Sequence, residues 1–295
     1  MKQYIIDEGN IMRPCLSNQH LSARCRPKHN RLASLLSRSC ASFVWLLISG
    51  VIGVYAASQP FTEGAKLTAS DGGHGDFFGS AIAVGGDTVV VGASGKDDFT
   101  FNEGAVYVFV RPAGGFIGAL RENARLIGEF VCEGATCFSS LFLGNSVAVS
   151  GDMIVAGSDG SAYVFIKPVG GWVGHRVQDA TLIHPGDGSF ARTVAVSGDT
   201  VIMGAAQNDV GFNRQQGEAF VFTKPALGWE GTLHEDAVLV ASDGTAFDRF
   251  GTSVAVDGDT VVIGHFSLSE RGAAYVFVKP AGGWVGVLRH RAEIT

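Results

Sequence analysis

Residues 250–264 read F-G-T-S-V-A-V-D-G-D-T-V-V-I-G, and three further copies of this phrase begin at Phe78, Leu143 and Phe190. In every copy an aspartate stands nine residues after the first position, and a glycine stands five residues after that aspartate. A repeat with fixed internal spacing indicates that the chain builds one supersecondary unit several times. This repetition therefore constrains the fold class more than any other feature of the chain.

A second module follows the first at a similarly constant distance. In each copy a glycine precedes a proline by eight residues, and a large aromatic residue follows the proline by four. An apolar residue that opens another short run stands ten positions after the aromatic residue. The aromatic residues are more consistent with packing inside the fold than with a ligand cage, because each recurs at a fixed position. They are Phe116, Trp172, Trp229 and Trp284.

The spacing predicts four short β-strands in each repeat. Runs such as S-V-A-V and T-V-V-I flank a Gly-Asp pair, which indicates a tight hairpin because glycine reaches turn angles that other residues avoid. A-Y-V-F-V at 274–278 predicts a third strand, and the apolar run after the aromatic residue predicts a fourth. Four strands repeated radially form the blade of a β-propeller. We therefore predict an all-β fold with repeats at approximately 62–120, 121–178, 179–235 and 236–295.

The aspartates of the four predicted turns occupy the same position in every copy. One active site does not need four equivalent carboxylates, whereas an aspartate in a turn commonly hydrogen-bonds the turn backbone. We therefore expect a structural role rather than a catalytic one for these residues. They are Asp87, Asp152, Asp199 and Asp259.

The repeated residues resemble the FG-GAP family, whose repeats form the propeller of the integrin α-chain and occur in many bacterial surface proteins. The FG is present as Phe78-Gly79 and Phe250-Gly251, and the GA of the GAP as Gly92-Ala93 and Gly204-Ala205. The chain departs from the pattern at Leu143, Ala191, Gly157-Ser158 and Gly264-His265. The resemblance covers about residues 65–295 and implies a β-propeller on a secreted or surface protein.

The number of repeats predicts an incomplete propeller. The family ring has seven blades, whereas this chain contains four repeat bodies. The short apolar run occurs five times, at Leu67, Leu126, Leu182, Leu239 and Ile294, so that one run remains after four blades are filled. We predict an open arc of four blades, with a closed four-bladed ring as the alternative. An open arc exposes strand edges and therefore favours self-association.

The N-terminal part of the chain differs from the repeats in charge and hydropathy. Residues 1–59 contain seven Lys/Arg and two Asp/Glu, whereas the remainder contains fifteen and twenty-six. An uncharged apolar run at 41–57 follows this basic segment, which is typical of a secretory signal or, alternatively, of an uncleaved membrane anchor. We predict that residues 1–57 direct the repeats to the cell surface or the medium. The acidic repeats disfavour nucleic acid as a partner.

Two cysteines lie within the repeats, in an insertion that only the second copy has. Cys132 and Cys137 stand five residues apart in V-C-E-G-A-T-C-F. An even number of cysteines in an exported chain indicates a disulfide that closes a local loop. Two unpaired thiols are the alternative.

Calcium is the cofactor that the family resemblance suggests. In FG-GAP proteins, loops of the form D-x-D-x-D-G after the GAP bind calcium through several oxygen ligands. The corresponding loops of this chain contain oxygen-bearing side chains but lack the alternating carboxylates, so solvated turn residues are the alternative. The candidate ligands are Asp97, Asp98, Asn102, Glu103, Asn208, Asp209 and Asn213.

The sequence favours a binding protein over an enzyme. It contains no G-x-S-x-G, H-E-x-x-H or phosphate-binding glycine motif. We predict a non-catalytic, exported binding or adhesion scaffold that recognises a protein or glycan through its loops. The alternatives are a carbohydrate-active hydrolase or lyase, which would gather Asp97, Asp98, Asp209 and a histidine in one cleft, and a non-functional fragment of a larger surface protein.

Overall fold

The computed structural model describes residues 63–97, 102–129, 131–133, 136–138, 142–184, 192–266, 271–289 and 292–294. The predicted signal or anchor at 1–57 and the calcium candidate Asp98 lie outside these ranges. All helices and strands found in the described ranges are β-strands, which confirms the all-β prediction. Within the same ranges there is no helix of the length and apolar character needed to cross a lipid bilayer.

The described chain begins with β1 (Ala65–Thr68) and then forms four blades, each an antiparallel sheet of four strands. Blade 1 contains β2 (Phe78–Gly85), β3 (Thr88–Ala93), β4 (Ala105–Val110) and β6 (Ala124–Ile127). Blade 2 contains β9 (Ser146–Ser150), β10 (Met153–Gly157), β11 (Ala162–Ile166) and β13 (Ala180–Ile183). Blade 3 contains β14 (Thr193–Ser197), β15 (Thr200–Ala205), β16 (Glu218–Thr223) and β18 (Ala237–Val240). Blade 4 contains β19 (Ser253–Asp257), β20 (Thr260–His265), β21 (Ala273–Val278) and β23 (Ala292–Ile294).

The first two strands of each blade form the hairpin that the sequence predicts. In blade 1, Val84 pairs with Val89, and Gly86 and Asp87 form the two-residue turn between them. Gly86 has a φ of 57°, which is the left-handed region that glycine occupies without strain. Glycine with φ of 54–57° occupies the same turn position in the other three blades. The repeated Gly-Asp pair therefore fixes the register of the four hairpins.

A fifth strand in each repeat leaves its own blade. This strand follows the repeated aromatic position of each blade. In blades 1 to 4 it is β5 (Gly118–Arg121), β12 (Gly174–Val177), β17 (Gly231–His234) and β22 (Gly286–Arg289). We call these four strands the straps. The straps β12, β17 and β22 pair in parallel with the outer strands of the preceding blades, which are β6, β13 and β18. The first, β5, pairs in the same way with β1, which precedes blade 1. The straps join successive blades by backbone hydrogen bonds.

The hydrophobic core lies between the blades. We call the face of a blade that points to the preceding blade its front face, and the opposite one its rear face. At the junction of blades 3 and 4, the rear residues Ile202 and Val221 pack against the front residues Ile263, Phe277 and Trp284. Burying each such side chain contributes about 1.5–3 kcal/mol. Equivalent clusters fill the junctions between blades 1 and 2 and between blades 2 and 3.

The four blades form an open propeller. The innermost strands pack in series, β2 against β9, β9 against β14 and β14 against β19. In the described part of the chain, β19 does not pack against β2 to close a ring, and no strap pairs with β23. The fifth apolar run, at Leu67, lies in β1 and pairs with the strap β5. The prediction of four blades in an open arc is confirmed.

The insertion before blade 2 forms a small antiparallel hairpin of β7 (Val131–Glu133) and β8 (Thr136–Phe138). Cys132 and Cys137 are directly opposite each other in its register. Opposite residues of an antiparallel pair have Cα atoms about 4.5–5.5 Å apart, which lies within the range that a disulfide spans. The backbone is therefore compatible with the disulfide, which stays a prediction.

Candidate functional site

The two ends of the blades differ in how much the length and sequence of their connections vary from blade to blade. One end, which we call the turn end, contains the Gly-Asp turns and the Pro-x-x-Gly turns, and it is nearly identical in all four blades. The other end, the loop end, contains the connections between the second and third strands and the segments that lead into each blade. These connections differ in length and sequence. Variable loops on a constant frame are where binding residues usually lie.

Each turn aspartate faces a basic residue that directly precedes the proline of its own blade. The closest nitrogen–oxygen distances between the two side chains are 3.8 Å for Asp87–Arg111, 3.4 Å for Asp152–Lys167, 3.7 Å for Asp199–Lys224 and 3.9 Å for Asp259–Lys279. The backbone N–H of each basic residue also donates to the carbonyl oxygen of the aspartate, at 2.7–2.9 Å. Exposed pairs of this kind contribute at most about 1 kcal/mol. The basic partner recurs before every proline in the sequence, and our sequence reasoning missed it.

The glycines of the repeated phrase lie where neighbouring blades approach most closely. Gly251, at the start of blade 4, donates its N–H to the carbonyl oxygen of Gly264 in the same blade, at 3.1 Å. The carbonyl oxygen of Gly251 points at Gly204 of blade 3, where a Cβ atom would overlap with it. Gly144 of blade 2 has the same relation to Gly92 of blade 1. These positions therefore need glycine because a backbone carbonyl occupies the place of the side chain.

Asp97, a calcium candidate of the first loop, lies at the loop end and hydrogen-bonds to the protein itself. Asp97 accepts a hydrogen bond from the N–H of Asn102, at 2.6 Å, and thereby closes its own loop. Glu103 is buried, with 9% of its surface exposed. Asp98 lies outside the described residues.

The candidates of the third loop behave in the same way. Asp209 accepts from the N–H of Gln215 at 2.7 Å, Asn208 donates to Glu218 at 2.9 Å, and Asn213 donates to Gln216 at 2.8 Å. In the described part of the chain, no three His, Cys, Asp or Glu side chains are arranged to hold a metal ion. The described loops therefore use these side chains as internal caps. Asp97 belongs to blade 1 and Asp209 to blade 3.

Four phenylalanines at the loop end are exposed to solvent. Phe77 is 66% exposed, Phe212 108%, Phe247 42% and Phe266 54%. The last three belong to blades 3 and 4. The loop that carries Phe212 is joined to the segment that carries Phe247, because the N–H of Phe247 donates to the carbonyl oxygen of Arg214 at 2.8 Å. The result is an apolar area on one side of the loop end.

Two arginines lie at the loop end of the same two blades, and Arg249 follows Phe247 by two residues. Arg192 and Arg249 line a cleft of about 150 Å³ between blades 3 and 4, together with Thr193, Gln207 and Thr252. The Nε atom of Arg249 is buried and has no hydrogen-bond partner among the described residues. Arg192 lies 3.6 Å from Asp159. We call the combined area the blade 3–4 loop surface; it consists of Arg192, Phe212, Phe247, Arg249 and Phe266.

The backbone of this surface is held in an uncommon conformation. Phe247 and Arg249 have φ angles of 69° and 54°, in the left-handed region that residues with a side chain rarely adopt. The N–H of Arg249 donates to the carbonyl oxygen of Gln215 at 3.1 Å, which helps to keep this conformation. Phe77 and Phe142, which hold the position of Arg249 in blades 1 and 2, have φ angles of 53° and 59°, so the conformation at Arg249 belongs to the repeat.

The family of the repeats is supported by a direct comparison. A family model described as the FG-GAP repeat matches residues 61–109 and 233–277, which contain blade 1 up to its third strand and the corresponding part of blade 4. The chain contains FG-GAP repeats. A search of curated protein sequences found no significant match.

Solved structures similar to this FG-GAP protein share little sequence with it. The computationally designed protein Ika4 is 18% identical, with a TM-score of 0.42 over 74% of this chain and 98% of that one. The designed protein Ika8 is 15% identical, with a TM-score of 0.37 over 78% and 70%. Hsv2 from Kluyveromyces lactis is 13% identical, with a TM-score of 0.44 over 74% and 62%. Alignments this loose do not bear on function.

A buried charged cluster fixes the segment that leads into the first FG-GAP blade. Lys96 lies 3.2 Å from Asp76, and Arg125 lies 3.0 Å from Asp71, which also accepts a hydrogen bond from the Tyr107 hydroxyl at 2.8 Å. Burial opposes ionisation of Asp71, but the Tyr107 hydrogen bond and the charges of Arg125 and Lys96 outweigh it, so the pKa of Asp71 lies below its ordinary value. Burial and the same hydrogen bond raise the pKa of Tyr107. All four charged groups have opposite partners, which indicates a structural cluster.

A second buried cluster links blades 2 and 3 at the loop end. His184, which directly follows β13, lies 2.8 Å from Glu235, which directly follows the strap β17, and its ring stacks on Phe220 at 4.0 Å. Glu218 lies nearby, and burial raises its pKa even though the hydrogen bond from Asn208 acts in the opposite direction. Ser70 and Glu122 make the same type of contact between β1 and the strap β5. These contacts hold the straps β17 and β5 to the strands that they join, and no sequence motif indicates them.

Proposed function

We propose that this FG-GAP protein is a non-catalytic, exported scaffold that binds a protein or a glycan through the blade 3–4 loop surface. The observation that supports this best is the exposure of Phe212, Phe247 and Phe266 on the two blades between which two arginines line a cleft. Exposed apolar area next to polar residues is characteristic of interaction sites. Aromatic residues and arginine also contribute a large share of the binding energy in known interfaces.

The rigidity of the surface also supports binding. The two loops that form it are joined through the backbone at Phe247 and Arg249, and Asp209 caps the first of them. Ordering a loop during association costs free energy, so a loop that is already fixed binds more tightly for the same contacts. The surface therefore meets a ligand without a large loss of conformational entropy.

The chemistry of the surface indicates the chemistry of its ligand. Arg192 and Arg249 suit an anionic group such as a carboxylate, because a guanidinium donates two parallel hydrogen bonds to it. The phenylalanines suit an apolar side chain or the apolar face of a sugar ring. The ligand of the scaffold is accordingly an acidic glycan or a protein segment with acidic and apolar residues.

Export is part of the proposal and rests on the sequence. The basic segment and the apolar run at 41–57 precede the repeats, as in secreted and surface-anchored proteins. N-terminal sequencing of the protein recovered from the medium and from membranes tests this part. A new N-terminus near Ala57 is expected after cleavage, whereas an intact chain in the cytosolic fraction contradicts export.

The binding proposal is tested with matched variants at the two ends of the propeller. Phe212→Ala combined with Phe247→Ala changes the loop surface, and Val169→Ala combined with Leu227→Ala changes two exposed residues at the turn end. Both proteins and the wild type are applied to an array of acidic and neutral glycans and to a panel of purified extracellular proteins. We expect the loop variant to lose at least about tenfold in affinity for the bound ligand, which is about 1.4 kcal/mol, while the control binds as the wild type does. Equal binding by all three proteins contradicts the proposal.

A further inference from the structure

The rear face of blade 4 has the composition of an internal blade face but is partly open to solvent. Val90, Val155 and Ile202 occupy one equivalent position in blades 1 to 3, and each is fully buried by the following blade. Val262 holds this position in blade 4 and is only partly buried. Thr88 and Thr200 are buried, whereas their equivalent Thr260 is exposed. The face therefore keeps the side chains of a blade junction without the neighbour that covers them.

The front face of blade 1 is open in a complementary way. Val147 and Val194 lie on the innermost strands of blades 2 and 3, where 9% and 8% of their surfaces are exposed against the preceding blade. Their equivalent in blade 1 is Ile82, which is 64% exposed, and Val84 on the same strand is 68% exposed. In all three internal junctions a rear face packs against a front face of this type.

Polar contacts at the internal junctions show the same complementarity. At the turn end, the N–H of Gly198 donates to Ser150 and the N–H of Gly258 donates to Ser197, at 3.1 and 3.0 Å. Each contact joins the innermost strand of one blade to the turn of the next. In blade 4 the serine position is occupied by Asp257, an exposed carboxylate for which no hydrogen bond is found among the described residues.

At the loop end, the corresponding contact is made by a hydroxyl group. Thr193 of blade 3 donates to the carbonyl oxygen of Gly251 in blade 4, at 2.8 Å. Ser80 of blade 1 donates to Gly144 of blade 2, at 3.1 Å. Ser253 holds the position of Thr193 in blade 4, and it is exposed. Blade 4 thus presents, at both ends of β19, the acceptor and the donor that another blade requires.

We propose that the rear face of blade 4 binds the front face of blade 1 in a second copy of this chain. In this head-to-tail complex, Val262 of the first copy packs against Ile82 and Val84 of the second. Asp257 accepts a hydrogen bond from the N–H of Gly86, and Ser253 donates to the carbonyl oxygen of Gly79. The apolar contact repeats one found at all three internal junctions, and each polar contact repeats one found at two of them, with a carboxylate at Asp257 in place of the serine hydroxyl. The new junction therefore continues an existing interface.

Two strands support this arrangement because each lacks what the other has. Among the strands that the structure describes, β23 pairs with β21 of its own blade but with no strap, whereas β1 pairs with the strap β5 but with no antiparallel neighbour. β6, β13 and β18 have both partners. In the head-to-tail complex one strand fills both places. β23 of the first copy takes this position against β5 of the second copy, whose β1 is released.

The complex is tested by blocking each face separately in the full chain, kept in one detergent because residues 41–57 are apolar. Val262→Glu blocks the rear face and Ile82→Glu blocks the front face. Val287→Glu is the control, since Val287 is 65% exposed on the strap β22 and belongs to neither face. Light scattering coupled to gel filtration gives the molar mass over a range of concentrations. We expect the wild type and the control to form dimers or larger assemblies and each blocked variant to be a monomer.

Mixing the two blocked variants distinguishes a head-to-tail complex from other kinds of association. Val262→Glu keeps a free front face and Ile82→Glu keeps a free rear face, so the mixture is expected to form a one-to-one complex and nothing larger. Asp257→Lys, an exposed change, provides a second rear-face variant with the same expected result. A monomeric wild type, blocked variants that associate like the wild type, or a mixture that stays monomeric would each overturn the proposal.

Discussion

Gly204 shows how one missing side chain sets the distance between two blades. The carbonyl oxygen of Gly251 and the hydroxyl of Thr193 occupy the space that a Cβ atom at position 204 would take. The hydroxyl in turn donates to the same carbonyl oxygen, so three residues of two blades meet at one point. A larger residue here must push the blades apart, because the obstacle is backbone and cannot rotate away.

Gly204→Ala is therefore expected to destabilise the protein by about 3 kcal/mol, which is in the range of severe core changes. The matched control is Gly282→Ala, since a Cβ atom at Gly282 meets nothing within 4 Å and its φ is not positive. The control should change the stability by less than about 0.5 kcal/mol. Urea unfolding followed by tryptophan fluorescence measures both. Similar unfolding midpoints for the two variants would show that the blade junction tolerates the methyl group.

Glu218 gives the stability of the protein a pH dependence. Burial raises its pKa above the ordinary value of 4.5, so the folded state holds the proton more tightly than the unfolded state does. The stabilising contribution is complete below the unfolded pKa and is lost as the pH rises through the folded pKa. Glu218→Gln removes the carboxyl group that ionises. Its unfolding midpoint is therefore expected to decline less than that of the wild type as the pH rises from the unfolded pKa of Glu218 through its folded pKa. Glu230→Gln, an exposed change in the same blade, should follow the wild type; equal slopes for both variants would contradict the assignment.

The straps are the elements that the sequence did not predict. The blade strands carry β-branched runs and Gly-Asp turns, which identify them because each feature has a local physical cause. A strap such as Gly231–His234 is only four residues long, and its partner Ala180–Ile183 lies about fifty residues earlier in the chain. Its pairing depends on how two blades meet. We therefore predicted one strand after the aromatic position, and the structure shows two.

The loop surface was also beyond prediction, for a related reason. Phe212, Phe247 and Phe266 look in the sequence like any other phenylalanine, whereas Phe250 of the FG pair is fully buried. Their exposure follows from the way in which two loops pack on each other. Asp97 and Asp209, which the sequence suggests as calcium ligands because of their oxygen atoms, cap the backbone of their own loops. Calcium binding stays a prediction.

The hairpin of β7 and β8 is an element whose stability should depend on oxidation. A disulfide between Cys132 and Cys137 closes a short loop and contributes about 2 kcal/mol in the chain-entropy account. We expect limited proteolysis to cleave this insertion faster in Cys132→Ser combined with Cys137→Ser than in the oxidised wild type. Mass spectrometry of the intact protein before and after reduction checks the bond directly. An unchanged cleavage rate together with free thiols would support the alternative of two unpaired cysteines.

On the scale of the whole molecule, the blade strands that the structure describes pack mainly against those of the neighbouring blades, as in other repeat proteins. Trp284 is buried between blades 3 and 4, and Trp172 is buried between blades 1 and 2. Trp284→Ala is expected to increase hydrogen exchange in blades 3 and 4 only, and Trp172→Ala in blades 1 and 2 only. Each substitution lowers the free energy of unfolding of its two blades by about 3–5 kcal/mol. Exchange followed by mass spectrometry measures this by segment; an increase spread evenly over all four blades would indicate a single cooperative unit.

The parallel straps impose an order on how the chain is made. The outer strand of a blade leaves the ribosome about fifty residues before the strap that covers its edge, as with Ala180 and Gly231. At a synthesis rate of roughly 5–20 residues per second, this edge stays uncovered for several seconds. The edge of each nascent blade is therefore covered only after the next repeat has been synthesised. A pause in translation within one repeat would leave the previous blade open to wrong partners.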